Sequence, residues 1–249
     1  MRALVTGGSA GLGKAFCDVL LQNGYEVTNV DRNPAPNDSN LVHIACDLSD
    51  RKTVDKLIEK IGKGEPFDIV IFNAGISATG KFEEIEPASH ARVVEINATA
   101  PMAICAAMMQ AEKVAKNGHI AFISSLSHFA GYPGASSYAA SKDALAVYAK
   151  SIRKAFKKSH GITVTTAYPG PLKTDHAERH APEGADAEKR MTPEDAANLI
   201  MSDIRKGSVS ALPGTAAKIV ALIGRIAPKP LTLVMRAIIY RKLDKTVAD

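Results

Sequence analysis

Tryptophan is absent from this 249-residue sequence, aromatic residues make up 5% of it, and cysteine occurs only three times. The few aromatic residues leave no set of stacking platforms, and no binding motif is present, which argues against a nucleic-acid-binding protein. Cys17, Cys46 and Cys105 lie far apart and lack the spacing of metal ligands, so we expect buried thiols in a reducing compartment. With 46% hydrophobic residues and no long linker, the chain is typical of one domain with a continuous core.

The net charge of +5 is distributed unevenly. Residues 214–249 contain seven lysines and arginines against two aspartates, so the rest of the chain is formally neutral. The positive charge therefore belongs to the C-terminal extension. At the other end, a strand is predicted to begin at residue 2, which leaves no room for a signal peptide, and we expect a cytoplasmic protein.

The N-terminal residues predict a strand, a glycine-rich turn and a helix. Residues 1–5 read MRALV and are apolar apart from Arg2, residues 6–13 read TGGSAGLG, and residues 14–24 have a helical pattern. Unpaired N–H groups and the dipole at such a helix N-terminus bind a diphosphate, and glycine lets the backbone approach it closely. The turn is therefore a candidate dinucleotide site.

Alternating and apolar runs predict the other elements. Strands are expected at 25–30, 41–45, 67–72, 119–123, 162–167 and 208–212. Helices are expected at 49–62, across the region 87–116, from Tyr138 to about Ser159, and from Thr192 onward, where a cap residue precedes Pro193.

The segment 124–142, SSLSHFAGYPGASSYAASK, places Tyr138 and Lys142 four positions apart. In a helix both side chains project from one face, and a neighbouring cation favours the phenolate. We therefore expect the pKa of Tyr138 to lie below its reference value of about 10, so that the phenol can exchange a proton with a substrate. Ser125 follows a predicted strand and can donate a hydrogen bond to the same substrate oxygen. Taken alone, Tyr-x-x-x-Lys also describes a buried tyrosine beside an ordinary surface lysine.

Six motifs together resemble the short-chain dehydrogenase/reductase family, from residue 1 to about residue 212. They are T-G-x-x-x-G-x-G at 6–13, Asn73-Ala74-Gly75, Asn97, Ser125, Tyr-Ala-Ala-Ser-Lys at 138–142 and Pro169-Gly170. The resemblance implies a doubly wound α/β fold with a mostly parallel, seven-stranded Rossmann-type sheet, and residues 1–213 as the dinucleotide-binding and catalytic domain. It also implies reversible hydride transfer between a nicotinamide and a carbonyl or secondary alcohol.

The resemblance assigns roles to four catalytic residues. Tyr138 is expected to act as general acid and base, and Ser125 to orient and polarise the substrate oxygen. Lys142 is expected to bind the nicotinamide ribose, and Asn97 to bend its helix and connect the lysine to water. An asparagine inside a helix is otherwise unfavourable.

The same resemblance implies the residues that contact the cofactor. Asp47 and Leu48 flank the adenine, although Asp47 can also cap a helix beginning near Ser49. Pro169-Gly170 packs under the nicotinamide and Thr174 meets its carboxamide. The full predicted set is Gly7, Ser9, Gly11, Leu12, Gly13, Asp31, Arg32, Asp47, Leu48, Asn73, Ala74, Gly75, Tyr138, Lys142, Pro169, Gly170 and Thr174.

Asp31 and Arg32 give opposite indications about the cofactor. A carboxylate after the second strand accepts hydrogen bonds from a ribose diol and repels a 2′-phosphate, which favours NAD. A guanidinium at Arg32 can hold that phosphate, which favours NADP. In the resembled family a basic residue in the glycine turn often accompanies NADP. The corresponding position here is Ala10, which carries no charge. We therefore favour NAD and keep NADP as the alternative.

The substrate region is less specific. We expect His128, Phe129, Tyr132 and Pro133 to contribute to an apolar pocket rim, which fits a hydrophobic substrate. Residues 175–190 are charged and predict a mobile lid. His176 and His180 lie in that lid, but no third ligand is evident, so we expect solvated side chains and no metal site.

Residues 214–249 predict a basic amphipathic helical extension. Apolar residues at 219, 222, 223 and 226 form one stripe, and no run in this extension is long or uncharged enough to span a bilayer. The stripe predicts either packing against protein or a peripheral contact with a membrane.

In the resembled family the helix around 102–109 and the Tyr-Lys helix form a subunit face. Four small residues would permit close approach there, namely Ala139, Ala140, Ala144 and Ala146, so we expect a homodimer or homotetramer.

Two alternative functions remain. One is a membrane-peripheral reductase of lipids or acyl chains, and the other is a cofactor-sensing protein with little turnover.

Overall fold

Short apolar runs of the sequence form the strands of the structure. The computed structural model describes residues 1–35, 39–182, 184–243 and 246–249. The described strands are β1 (Arg2–Thr6), β2 (Glu26–Asp31), β3 (Leu41–Ala45), β4 (Phe67–Phe72), β5 (Ala78–Thr79), β6 (Val114–Ile123), β7 (Thr163–Ala167), β8 (Ser210–Ala211) and β9 (Val247–Ala248). One seven-stranded sheet has the order β3-β2-β1-β4-β6-β7-β8, and every pairing in it is parallel. The predicted Rossmann-type sheet is confirmed.

Helices connect these strands on both faces of the sheet. The described helices are α1 (Gly11–Gln22), α2 (Arg51–Gly62), α3 (Pro87–Val94), α4 (Ala100–Gln110), α5 (Ser127–Ala130), α6 (Ser136–His160), α7 (Asp175–Arg179), α8 (Pro193–Arg205), α9 (Gly214–Ile226) and α10 (Pro228–Ile238). A π-helical turn, Glu95–Thr99, joins α3 to α4. Short 3-10 turns occur at Phe82–Glu84 and Tyr240–Lys242.

The core consists of one apolar layer on each side of the sheet. On one side α2, α4 and α6 contribute Leu57, Ile104 and Leu145. On the other side α1 and α8 contribute residues such as Phe16 and Ile200, both fully buried. Because both faces are covered, the central strands β1 and β4 are mostly apolar, as expected of a parallel sheet.

The helix predicted across 87–116 ends at Gln110, and β6 begins at Val114. Glu112 adopts a left-handed conformation with φ 55°, its N–H donates to Met109 O at 3.2 Å, and Lys113 N–H donates to Met108 O at 2.8 Å. These are the hydrogen bonds of a Schellman cap. Glycine usually occupies that position, so the glutamate concealed the end of the helix from the sequence pattern.

Residues Pro87–Gln110 form a continuous helical stretch of 24 residues that is apolar and long enough to cross a membrane. Half of its most apolar window is buried inside the protein, where Ile96, Ile104 and Met108 belong to the core. Packing against the sheet and its neighbouring helices therefore accounts for the hydropathy of this stretch.

The C-terminal extension returns to the body of the protein. After α9 and α10, β9 pairs antiparallel with β5, with Ala248 opposite Ala78 and Val247 opposite Thr79. Asp249 N–H then donates to Ser77 O at 3.2 Å. This small second sheet was not predicted from the sequence, because two-residue strands carry no periodicity.

Candidate active site

The carboxyl ends of the parallel strands place the predicted site residues along one edge of the sheet. Thr6, Asn73, Ser124 and Tyr168 stand at or just beyond the ends of β1, β4, β6 and β7. The strand order reverses between β1 and β4, so a crevice opens there at this edge. Open α/β sheets bind ligands at such a switch point.

The glycine turn between β1 and α1 is tightly packed. Gly7 has φ 71°, and a Cβ on it would lie 2.9 Å from Ala74 Cα. A Cβ on Gly13 would lie 1.9 Å from Gly7 O, so only glycine allows α1 to begin so close to β1. The N-cap residue of α1, Ala10, makes no side-chain cap, and no acidic residue lies in the first turn. The first N–H groups of α1 therefore suit the diphosphate of a dinucleotide.

Two residues that the sequence reasoning missed hold this turn in place. Thr6 Oγ1 accepts hydrogen bonds from the backbone N–H groups of Asn73 and Ala74, each at 3.0 Å. Asn29 is fully buried in β2, and its Oδ1 accepts from Gly8 N–H at 2.9 Å. A polar residue in the middle of an otherwise buried strand was the available clue, because buried polar groups require partners.

Asp31 lies at the end of β2 beside the same turn. Its Oδ2 accepts from Ser9 N–H at 3.0 Å and its Oδ1 from Asn33 N–H at 2.9 Å. Arg32, next in sequence, is exposed. The carboxylate is thus fixed at the mouth of the crevice, where the cofactor ribose is expected, while the guanidinium extends into solvent.

Asp47 and Leu48 follow β3. Asp47 Oδ1 accepts from the Ser49 hydroxyl at 2.7 Å and from Ser49 N–H at 2.9 Å, and these hydrogen bonds, chiefly the first, hold the pKa of Asp47 below its ordinary value. The expectation that Asp47 caps α2 is wrong. Asp50 is the N-cap and accepts from Lys52 N–H at 3.0 Å, because the chain makes one further turn before the helix begins.

Ser125, Tyr138 and Lys142 come together beyond the end of β6. The Ser125 side chain lies close enough to the Tyr138 phenol to lower its pKa. Lys142 is 3% exposed, its Nζ lies 5.9 Å from the Tyr138 ring centroid, and it donates to Ile123 O at 2.9 Å. The helix α6 carries the tyrosine and the lysine, and β6 leads directly to the serine.

The protonation of this group differs from the prediction. Burial raises the pKa of Tyr138, and only the neighbouring Ser125 hydroxyl opposes that rise. Burial lowers the pKa of Lys142 to about 8. The predicted depression of the tyrosine pKa is therefore wrong for the chain itself, because desolvation penalises a buried phenolate and the ammonium is directed toward the Ile123 carbonyl.

Asn97 lies in the π-helical turn and is fully buried. Its Oδ1 accepts from Ile76 N–H at 2.8 Å, and its Nδ2 donates to Ile76 O at 2.9 Å and Ser141 Oγ at 3.0 Å. A Cβ on Gly75 would lie 2.9 Å from Lys142 Nζ and 3.3 Å from Asn97 Oδ1. The asparagine, the glycine and the lysine thus form one packed unit, and π-helical turns are frequent at functional sites.

Pro169, Gly170 and Thr174 close the other side of the crevice. Leu126 N–H donates to Pro169 O at 3.1 Å, which ties the segment after β7 to the residue that follows Ser125. Thr174 caps α7 through its side chain. A Cβ on Gly11 would lie 3.2 Å from Thr174 Cγ2, so the threonine stands against the glycine turn.

The predicted pocket rim is only partly assembled beside the catalytic group. Tyr132 packs edge-on against Tyr138, with ring centroids 6.2 Å apart. His128 and Phe129 instead line a cavity of about 520 Å³ between α6 and α9, where the Arg225 guanidinium lies 5.2 Å from the Phe129 ring centroid. The residues that line this cavity do not include Tyr138.

The two lid histidines are less solvated than predicted, although His176 keeps 39% of its side-chain surface exposed. His180 is 5% exposed, and its Nε2 lies 3.0 Å from Asp249 Oδ2, while His176 Nδ1 lies 3.1 Å from the same oxygen. Asp249, which lies 69 residues after His180, is the third ligand-type residue that was not evident from the sequence. Ligand-type atoms of these three residues lie within 4.8 Å of one another, and the hydrogen bonds among them satisfy the carboxylate.

Comparison with known proteins is consistent with this geometry. The short chain dehydrogenase family pattern matches residues 1–184. Oxidoreductase BOA17 of Botryotinia fuckeliana is 32% identical over 186 residues, which cover 70% of this chain and 66% of that protein. The 3-oxoacyl-(acyl-carrier-protein) reductase FabG of Salmonella typhimurium is 30% identical over 182 residues, covering 70% of this chain and 74% of that protein.

Solved structures share the fold. A short chain dehydrogenase from Burkholderia cenocepacia in complex with NADP superposes with a TM-score of 0.80 at 20% identity, covering 94% of this chain and 96% of that chain. Other structures of similar fold were solved with NADPH or with NADH.

Proposed function

The chain belongs to the short-chain dehydrogenase family, and we propose that it catalyses reversible hydride transfer between the nicotinamide of NAD(P) and the carbonyl or secondary alcohol of a hydrophobic substrate. The observation that carries the proposal is the grouping of Ser125 and Tyr138 with the buried Lys142, whose Nζ lies 5.9 Å from the Tyr138 ring centroid. That group lies on the same sheet edge as the glycine turn that suits a diphosphate. The catalytic group and the turn suited to the cofactor diphosphate therefore lie along one crevice.

The protonation of the site supports proton donation by Tyr138. Its raised pKa keeps the phenol protonated at neutral pH, so it can donate to a substrate oxygen as the carbonyl is reduced. Ser125 holds the same oxygen by a second hydrogen bond. Lys142, with a pKa of about 8, is mostly charged at neutral pH and can support return of a proton to the tyrosine, and Asn97 positions it through Gly75. The cofactor, when bound, supplies the hydride chemistry.

Asp31 supports NAD as the preferred cofactor. Its carboxylate is held by Ser9 N–H at the end of β2, where we expect the cofactor ribose, and would repel a 2′-phosphate placed there. Arg32 is exposed and is the residue through which NADP would be accepted. Residues Asp47 and Leu48 stand beyond β3, where the adenine is expected.

A homo-oligomer is part of the proposal. Ala140, Ala144 and Val147 are exposed on α6 at helical spacing, and small residues there allow a second helix to approach closely. Ala146, which we expected on this face, is 3% exposed and belongs to the interior. Sedimentation equilibrium of Ala144→Arg against the wild-type protein tests this face, since dissociation to a smaller species is expected.

A substrate with an acyl or other lipidic chain is the second candidate. It is favoured by the large aliphatic side chains that α9 and α10 expose beside α5, the helix that follows Ser125. A cofactor-sensing protein with little turnover is the other alternative, and it predicts binding of NAD(P)H by the wild-type protein without oxidation of the cofactor by any carbonyl compound.

The test of the proposed function is a comparison of two tyrosine variants. Tyr138→Phe is expected to bind NADH or NADPH as the wild type does, by fluorescence titration, and to lose roughly 100- to 10,000-fold in turnover of an active carbonyl substrate. Tyr132→Phe, whose ring touches that of Tyr138, is the matched control and should keep most of the turnover. Undiminished turnover in Tyr138→Phe would remove the proposed acid, and failure of the wild type to bind either cofactor would remove the redox function.

A further inference from the structure

The helix α9 packs against the protein with its small residues and exposes its large ones. Ala217, Ala221 and Gly224 face inward, and Gly224 lies so close to Phe129 that a Cβ would be 2.3 Å from the Phe129 carbonyl oxygen. The outward residues are Ile219 (52% exposed), Leu222 (59%), Ile223 (44%) and Ile226 (75%). A helix at the surface of a soluble domain ordinarily has the opposite orientation, with its large apolar stripe toward the core.

The helix α10 continues this exposed apolar surface. Ala227 alone separates the two helices, no residue of α10 is fully buried, and Leu233, Val234 and Ile238 are each more than half exposed. Half of the strongly exposed large hydrophobic side chains in the described part of the chain lie between residues 219 and 238. Single exposed residues need no explanation, but such a concentration marks an interaction surface.

Residues 214–243 also lack any aspartate or glutamate. Their basic residues are Lys218, Arg225, Lys229, Arg236, Arg241 and Lys242, all of them exposed. An aliphatic stripe bordered by cations alone is complementary to a surface that is apolar inside and anionic outside. We call α9 and α10 together the tail helices.

We infer that the tail helices bind the surface of an anionic phospholipid membrane. The aliphatic side chains of α9 and α10 enter the boundary between headgroups and acyl chains, and the cations pair with lipid phosphates. A second copy of this chain fits the surface less well, because it would bring six cations against six cations. Nucleic acid would pair with the cations but would leave the aliphatic stripe in water.

The inferred membrane contact lies next to the candidate active site. Arg225 of α9 covers the Phe129 ring, and Thr232 of α10 donates a hydrogen bond to Ala130 O. Phe129 and Ala130 both belong to α5, which begins two residues after Ser125. A membrane-bound molecule would therefore hold its catalytic serine close to the lipid surface, and an apolar substrate could reach it from the membrane.

The experiment is flotation of the full-length protein with lipid vesicles, measured without substrate or cofactor. Wild-type protein is expected to float with vesicles that contain phosphatidylglycerol, much less with pure phosphatidylcholine vesicles, and less again at high salt. Lys218→Gln with Lys229→Gln is expected to weaken binding roughly 30-fold, from about 1 kcal/mol for each cation near an anionic surface. Leu222→Ser with Ile226→Ser is expected to weaken it at least tenfold.

Matched controls use exposed residues of the same type elsewhere. Leu199→Ser on α8 and Lys56→Gln on α2 should leave vesicle binding unchanged. The inference is overturned if phosphatidylglycerol vesicles do not retain the wild-type protein, or if the tail variants bind as the wild type does. It is also overturned if the tail variants change the oligomeric state instead of vesicle binding, since the surface would then contact a second copy. Vesicle binding is independent of turnover, so the inference and the proposed function can fail separately.

Discussion

Asp249 Oδ2 lies 3.0 Å from His180 Nε2 and fastens the end of the described chain to α7. The same oxygen is 3.1 Å from His176 Nδ1 and accepts from Ser77 N–H at 3.2 Å, and Asp249 Oδ1 accepts from Arg179 at 3.1 Å. One carboxylate therefore joins the helix that follows Thr174 to the strand that follows Gly75, so it connects the two sides of the crevice.

Asp249→Asn is expected to destabilise the protein by about 1–3 kcal/mol, because a buried charge with several donors loses its charge-assisted hydrogen bonds. Burial raises the pKa of Asp249, but hydrogen bonds from His176 and His180 outweigh it and hold the pKa well below the ordinary range. The stabilisation is thus present above about pH 4 and is lost as the pH falls through the lowered pKa, so the deficit should shrink in strongly acidic solution. Urea denaturation measures it, with Glu178→Gln on exposed α7 as the control. An unaltered midpoint would show that the contact is energetically neutral.

Lys142→Met is expected to raise stability while abolishing turnover. The buried ammonium has a pKa of about 8 against an ordinary 10.5, so below pH 8 its charged form costs stability, and that cost disappears as the pH rises from about 8 to 10.5. At pH 7 the variant should be more stable by roughly 1–2 kcal/mol, after allowing for the lost hydrogen bond to Ile123. Thermal unfolding at pH 7 and pH 10 tests this, since the gain should shrink at the higher pH. Lys150→Met, at an exposed site on α6, should give no gain, and a less stable Lys142→Met would contradict the prediction.

Gly75→Ala is expected to fold but to lose at least tenfold in turnover. The added Cβ would lie 2.9 Å from Lys142 Nζ. Because moving the flexible lysine side chain costs less energy than moving the backbone, we expect the amine to leave its position beside Tyr138. Gly62→Ala, where a Cβ meets nothing within 4 Å, is the control and should be neutral or slightly stabilising. Steady-state kinetics beside circular dichroism separates the two effects. Wild-type turnover in Gly75→Ala would mean that the position of the amine is not critical.

Asp31→Asn is expected to shift the cofactor preference toward NADPH by roughly tenfold, or about 1.4 kcal/mol. The amide oxygen can still accept from Ser9 N–H, so the glycine turn keeps its shape while the repulsion of a 2′-phosphate disappears. Fluorescence titrations with NADH and NADPH measure the ratio of dissociation constants. Arg32→Ala should change the ratio in the opposite sense by weakening NADPH binding. An unchanged ratio in Asp31→Asn would place the ribose elsewhere.

The sheet and the glycine turn were predictable because they depend on local patterns. A buried parallel strand is an apolar run, and Gly7 and Gly13 are required wherever β1 and α1 approach so closely. The end of α4 was not predictable, since Glu112 adopts a conformation that glycine normally occupies. Two-residue strands such as β5 and β9 were equally invisible, because they form only when distant segments meet.

Among the site residues, the sequence identified chemistry but not environment. Tyr138 and Lys142 were recognisable as a pair from their spacing on a helix, yet the direction of the tyrosine pKa was predicted wrongly, because desolvation depends on what surrounds the phenol. Asn29 and Thr6 were missed, since their importance lies in the backbone groups that they contact across the sheet edge.

By itself the sequence determined the fold, the family and the residues along the strand ends, because periodicity, glycine spacing and the Tyr-x-x-x-Lys pattern are properties of neighbouring residues. Only the tertiary structure decided that His180 is buried against Asp249 and that the large aliphatic residues of α9 face outward. It also decided that burial lowers the pKa of Lys142 to about 8. Each of these depends on desolvation and on contacts between segments far apart in the chain, which no local pattern encodes.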